Sequence, residues 1–251
     1  AKMDYKLLSK KENILKDFFQ EFIFVYNNLI VSLIKSQNYS QFKKYHQEFK
    51  KVTQKIKSTY EIAHVLFIYN VMNTIYLNTS GNWTEAKSIL IESEEFVEKH
   101  IKHIDSLRAN SFYFNLAKVY IGLSDFKIAF RWLNKIITSD NEDEATDFHA
   151  FSRLIFCLCC FERGDIDLML YTLKSTKKFM IERNIFFRFE KRFIYFLEKE
   201  CPEIYFLSNK LKITKYLKLK KDLNEIFKNS YERNVLNYFW FDRWVEKKLK
   251  P

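Results

Sequence analysis

The segment EKHIKH sets His100 and His103 three residues apart, with Glu95 and Glu98 one or two helical turns upstream. On a helix that spacing turns two imidazoles to one side, where they can share a metal ion. A basic flank at a helix C-terminus is also favoured without any metal, because cations there complement the helix dipole. The exposed helix end is the favoured reading, so no metal is expected. Cys157, Cys159 and Cys160 crowd into CLCC within an apolar run, and Cys201 stands apart. Zinc would need a second CxxC or a histidine pair, so these thiols read as small core hydrophobes. His46, His64 and His149 have no serine or cysteine with a carboxylate in a nucleophile pattern. Asp165 and Asp167 read as helix-capping residues, and DNEDEATD (140–147) reads as a solvated loop between helices. Only 3 glycines occur in the chain, too few and too scattered for a GxGxxG or GxxxxGK phosphate loop. The expectation is a chain without catalytic residues, metal or cofactor, and not an enzyme.

Binding is the remaining class of function. The net charge is +11, and its distribution is uneven. From Lys177 onward there are 19 Lys and Arg against 10 Asp and Glu, whereas the first 176 residues carry 23 against 21. Within the basic third, Lys210, Lys212, Lys215, Lys218, Lys220 and Lys221 surround Leu211, Ile213, Tyr216, Leu217 and Leu219. A basic amphipathic helix of this kind can meet phosphates, an anionic membrane or an acidic protein. Lysine dominates over arginine and no stacking motif accompanies it, so a solvated face is favoured over a nucleic-acid site.

The elements that would position these residues are helices. Hydrophobic residues make up 47% of the 251 and aromatic residues 18%, with only 2 prolines. A β-sandwich or α/β enzyme of this length needs many more glycines and prolines for its turns, so an all-α fold is expected. No apolar run approaches the roughly 20 residues of a membrane span. The opening AKMDYK has no secretion-signal character, so a cytoplasmic chain is expected. Without Met at position 1, it is also expected to be a piece of a longer protein.

The chain repeats itself. Gly81, Gly122 and Gly164 introduce GNWTEAKSIL, GLSDFKIAFRWL and GDIDLMLYTL, and QNYSQFKKYH (37–46) is an earlier copy. The anchoring apolar residues of the four copies, at 39, 83, 126 and 166, are 44, 43 and 40 residues apart. Such a period marks stacked helical hairpins. In the third copy Tyr113, Leu116, Ala117 and Tyr120 share one helical face, and Phe126, Ala129, Leu133 and Ile136 share another. Small Ala117 and Ala129 would let the two helices approach closely, and Gly122 is expected to ease the end of the first.

These residues resemble the tetratricopeptide repeat (TPR) over roughly 13–182. The second copy matches more loosely through Tyr69, Met72, Tyr76, Trp83, Ala86 and Leu90, and the fourth through Phe156, Cys160, Ile166, Met169 and Leu173. The spacing exceeds the usual ~34 residues. The resemblance implies a right-handed superhelical array, with four hairpins over 1–182 and a basic, aromatic helical cap over 183–251. It also implies that each first helix lines a concave, partner-binding face. Carried residue by residue, that face holds Asn70 and Thr74 in the second repeat and Phe114, Asn115, Lys118 and Ile121 in the third. In the fourth it holds Phe151, Leu154, Leu158 and Phe161. TPR members that bind chaperone tails clamp a carboxylate with Lys and Asn on successive first helices. Asn115 matches one such Asn, but Asn70 and Thr74 supply no Lys–Asn pair, so no clamp is expected.

Beyond 182 the spacing predicts helices over 186–200, 209–228 and 231–249. The last of these crowds Tyr238, Phe239, Trp240, Phe241 and Trp244 together, a density that resembles the C-terminal region of larger bacterial TPR proteins. The nearly all-apolar segment 149–162 must be covered, and these aromatics are expected to cover it. The function implied is a non-enzymatic protein-interaction scaffold that takes a peptide or helical partner. The alternative is a nucleic-acid-associated or regulatory helical domain using the basic C-terminal third.

Overall fold

A computed structural model describes residues 18–139 and 146–250, and among them the regular structure is helical throughout, with no strand. The chain divides into two compact units, Ala1–Leu123 and Ser124–Pro251.

The first unit holds α1 (Phe19–Lys35), α2 (Tyr39–Lys51), α3 (Thr59–Ser80), α4 (Ala86–His100) and α5 (Ser106–Gly122), with short 3-10 turns after α2, before α4 and after α4. Apolar residues recur about every 3.6 positions and so fall on one side of a helix. On α1 this buries Phe22, Tyr26, Leu29, Ile30 and Leu33, and on α2 it buries Phe42, Tyr45, His46 and Phe49. The helix α2 packs on α1, both pack on α3, and α3 packs in turn on α4 and α5.

The second unit holds α6 (Phe126–Ile137), α7 (Thr146–Arg163) and α8 (Ile166–Glu182), followed by α9 (Arg188–Tyr195). A π-helical turn (Phe196–Glu200) leads into α10 (Cys201–Ile204), then α11 (Asn209–Ile226), α12 (Ser230–Arg233) and α13 (Phe241–Lys248). The helix α7 lies between α6 and α8 and is buried along most of its length.

The turns spaced at intervals in the sequence have a common backbone feature. Gln37, Gly81, Ser124 and Gly164 all have left-handed φ, between 55° and 81°. Each follows a helix end and precedes an Asn or Asp, namely Asn38, Asn82, Asp125 and Asp165. The side chains of Asn38, Asn82 and Asp125 accept the amides of Gln41, Thr84 and Ile128, so these residues stop one helix and start the next. Gly122 is the last residue of α5, as expected of a helix end, but it has no left-handed φ and so is not the equivalent of Gly81 and Gly164. Ser124 takes the left-handed position. Gly122 instead meets Trp83, whose ring atoms would lie 2.3 Å from a Cβ built there. The repeat's alanines, Ala86, Ala117 and Ala129, are all helical and fully buried.

The helix expected over 231–249 is broken. A 3-10 turn follows α12, and the chain bends at Tyr238–Trp240 before α13. In one continuous helix Phe239 and Phe241 would point to nearly opposite sides. The bend lets both be fully buried, and Phe241 packs on Phe189 at 4.8 Å and Phe193 at 5.0 Å. The C-terminal residues also cover α7. Phe151 stacks on Tyr238 at 4.4 Å, and Phe161 meets the edges of Tyr205 and Trp244.

Candidate functional site

The residues expected on a concave face do not share one environment. Asn70 and Thr74 are buried inside the first unit. Asn70 donates to the Leu66 carbonyl at 2.8 Å and accepts from Ser93, while Thr74 donates to the Val71 carbonyl. Phe114 and Ile121 are buried as well. Asn115 is half-buried, donating to the Ser111 carbonyl and accepting from Asn78 through its backbone oxygen. Lys118 is half-buried over the Phe114 ring at 5.6 Å, and desolvation pulls its pKa down to about 8. Phe151, Leu154, Leu158 and Phe161 are buried on α7.

The six lysines expected as a basic patch all lie on α11 but spread around it. Lys210, Lys218 and Lys221 are exposed, while Lys212, Lys215 and Lys220 sit at the margins of the buried face. Lys215 pairs with Glu203 at 2.7 Å and Lys220 with Glu246 at 2.9 Å. These pairs hold α11 to the segment before it and to α13. Two of the six charges are therefore already matched, and four remain outside the ion pairs of the described residues.

Beside Lys212 the second unit opens into a groove of about 580 Å³. Phe161 and Glu162 at the end of α7 form one side, with Ile204, Tyr205, Ile213 and Tyr216 opposite and Lys212, Lys248 and Lys250 around it. Its base is tied together by Glu162, which accepts the Trp244 indole N–H and the Lys248 ammonium, each at 2.6 Å. The Tyr205 hydroxyl donates to the Phe161 carbonyl. Burial raises the pKa of both Tyr205 and Tyr216. Several large apolar side chains of α11 and of the segment before it are exposed. Phe206 is 90% exposed, Leu217 is 52% exposed and Leu211 is 51% exposed. Ile213, one turn from Leu217, belongs to both the groove and this surface. Exposed apolar side chains beside a groove are a usual character of a protein-binding surface.

Comparison of the chain with protein-family models, with curated proteins and with solved structures found no match.

The groove unites two residues that the sequence had offered separately, Phe161 from a first helix and Lys212 from the basic stretch. Sequence reasoning missed Glu162, Phe206 and Lys248. Phe206 carried a signal, since an aromatic beside Ser208 and Asn209 in a turn has no helical face to bury it. Glu162 carried none, because its partners lie more than 80 positions away.

The histidines and cysteines singled out by the sequence are accounted for by packing. His46 is buried with its Nδ1 accepting from the Tyr26 hydroxyl at 2.5 Å and its Nε2–H donating to Asn73 at 2.9 Å. Desolvation lowers its pKa to about 3, so it is a neutral part of the aromatic core, stacked on Tyr69 at 4.1 Å. All four cysteines are free and buried, and burial pushes their pKa values upward, that of Cys160 to about 12. His100 and His103 fall where α4 passes into a 3-10 turn, both half-buried. Among the described residues no three His, Cys, Asp or Glu side chains gather as a metal site.

Proposed function

We propose that this chain is a non-enzymatic interaction scaffold, built as a TPR-like superhelical array of helix pairs, that holds an acidic peptide or helix. The groove between the end of α7 and α11 is its docking surface. The observation that carries this reading is a preformed groove lined by Phe161, Ile204, Tyr205 and Ile213, with exposed Leu217 one turn along α11 from Ile213 and exposed Phe206 next to Tyr205 in the chain. Leaving such side chains in water forgoes about 1.5–3 kcal/mol for each that could be fully buried, and a partner recovers it. The four left-handed junctions at 37, 81, 124 and 164 support the repeat architecture. The apolar burial would supply affinity, and Lys210, Lys212, Lys218 and Lys221 would steer an acidic partner and set its orientation.

The test is affinity capture with the full chain at low and moderate salt after nuclease treatment, beside a triple variant Phe206→Ser, Ile213→Ser, Leu217→Ser. A protein retained by the native chain and lost by the variant supports the scaffold. Capture that disappears with nuclease turns the reading toward nucleic acid, and a partner held equally by both chains removes the groove from it.

A further inference from the structure

A second recess opens within the second unit, where α7, α8, α9 and residues 231–238 meet, with a volume of about 430 Å³. Two aromatic pairs line it. Phe151 and Tyr238 stack at 4.4 Å, and Phe187 and Tyr231 meet edge to face at 5.1 Å. Two carboxylates line it too. Asp147, in the first turn of α7, accepts from the Tyr238 hydroxyl at 3.5 Å. Glu190 on α9 is only 3% exposed.

The environment of Glu190 is unusual in a chain so rich in lysine. Its Oε2 accepts the Phe187 amide at 3.0 Å, but it makes no ion pair with any described lysine or arginine. Its buried neighbour Glu232 accepts the amides of Arg188 and Phe189, so the carboxylates serve the N-terminus of α9 while adding negative charge here. Desolvation, with Glu232 and Asp147 adding repulsion, holds the Glu190 carboxyl up at about 7. A buried carboxylate without a cation is costly. The four rings line the recess beside the carboxylates, and an aromatic face presented to a cation attracts it. Among the described residues, Arg153 and Arg183 lie over Phe179, and Lys191 lies over Phe186. Among the described residues none lies over Phe151, Phe187, Tyr231 or Tyr238.

We propose that this recess binds an organic cation, an alkylated ammonium whose charge is met by Glu190 and Asp147 and whose alkyl groups contact the four rings. A bare metal ion would want a cage of oxygen ligands, and among the described residues no three His, Cys, Asp or Glu gather here. A neutral apolar molecule would leave Glu190 buried against hydrocarbon. A recess of this size suits a head group with a short stem, supplied either by a free small amine or by the side chain of a methylated lysine in a peptide. The recess is separate from the α11 groove and does not depend on what that groove binds.

The test is calorimetric titration of the full chain at pH 8 with choline and with 3,3-dimethylbutan-1-ol, which replaces the ammonium nitrogen by carbon at nearly the same shape. Choline should bind at least about tenfold more tightly than the neutral alcohol. Tyr231→Leu, at an exposed wall position, should cost choline about tenfold and leave the alcohol unchanged. Asp147→Asn should weaken choline alone, and it keeps the proposal open to refutation if a Glu190→Gln chain fails to fold. A parallel titration with a trimethyllysine peptide identifies the source: tighter peptide binding assigns a side chain, and tighter choline binding assigns a free amine. Equal affinity for choline and the alcohol, or no binding of either cation by a folded chain, overturns the proposal.

Discussion

The indole of Trp83 lies against the backbone of Gly122, so close that a methyl group at 122 would come within 2.3 Å of its ring. Trp83 opens the second repeat's turn, and Gly122 closes α5 with a helical, not a left-handed, backbone. Alanine normally favours a helix over glycine by about 1 kcal/mol. Here the steric conflict with a large rigid ring outweighs that gain, and Gly122→Ala is expected to destabilise the chain by about 1–3 kcal/mol. In a Trp83→Ala background the same substitution should become neutral or stabilising. Urea denaturation of the double-mutant cycle checks the coupling, and additive effects would remove it.

His46 makes stability depend on pH. Its folded pKa of about 3 lies below the ordinary 6.5, so the unfolded chain takes up a proton more readily than the folded one. The contribution of neutral His46 is therefore complete above about pH 6.5 and is lost as pH falls toward about 3. Urea midpoints measured from pH 7 to pH 4 should fall, and His46→Gln should flatten that fall while lowering stability at pH 7. An unchanged slope in the variant would place the acid sensitivity in other groups.

The thiols of Cys157, Cys159, Cys160 and Cys201 are buried and held protonated by their surroundings. Thiolate is the reactive form, so the native chain should show almost no reaction with a thiol-specific disulfide reagent over minutes. All four should react in denaturant. Rapid labelling of one thiol under native conditions would mean that α7 or α10 opens locally.

Glu162 fastens α13 to α7 through Trp244 and Lys248. Glu162→Ala leaves the Trp244 indole N–H without its acceptor and Lys248 without its partner, at an expected cost of about 2–4 kcal/mol. Hydrogen exchange should quicken in Phe241–Lys248 more than in α8. Uniform acceleration across the second unit would instead mean that Glu162 supports the whole unit.

Much of the fold was legible in the sequence because helices declare themselves locally. The 44-, 43- and 40-residue spacing of the turns and the paired faces around Ala117 and Ala129 are properties of neighbouring residues, whereas Asp165, read as a cap, makes no capping hydrogen bond. Covering of α7 by the C-terminal aromatics was also readable, since an all-apolar helix next to an aromatic-rich tail leaves few alternatives. The break before α13 was not, because only the demand to bury Phe239 and Phe241 together rules out the continuous helix that their spacing permits.

The candidate sites divide along the same line. By itself the sequence determined an all-helical chain, its turn positions and the lysine content of α11, since propensity, capping and periodicity act over a few residues. Only the tertiary structure decided that Asn70 and Thr74 face inward, that Lys215 and Lys220 are matched by Glu203 and Glu246, and that Phe161 shares a groove with Lys212. It likewise drew Asp147, Glu190 and four aromatic rings from across 147–238 into one recess. The reason is physical: a side chain's exposure and charge partners are fixed by which helix faces meet, and that choice balances the burial of many distant residues at once.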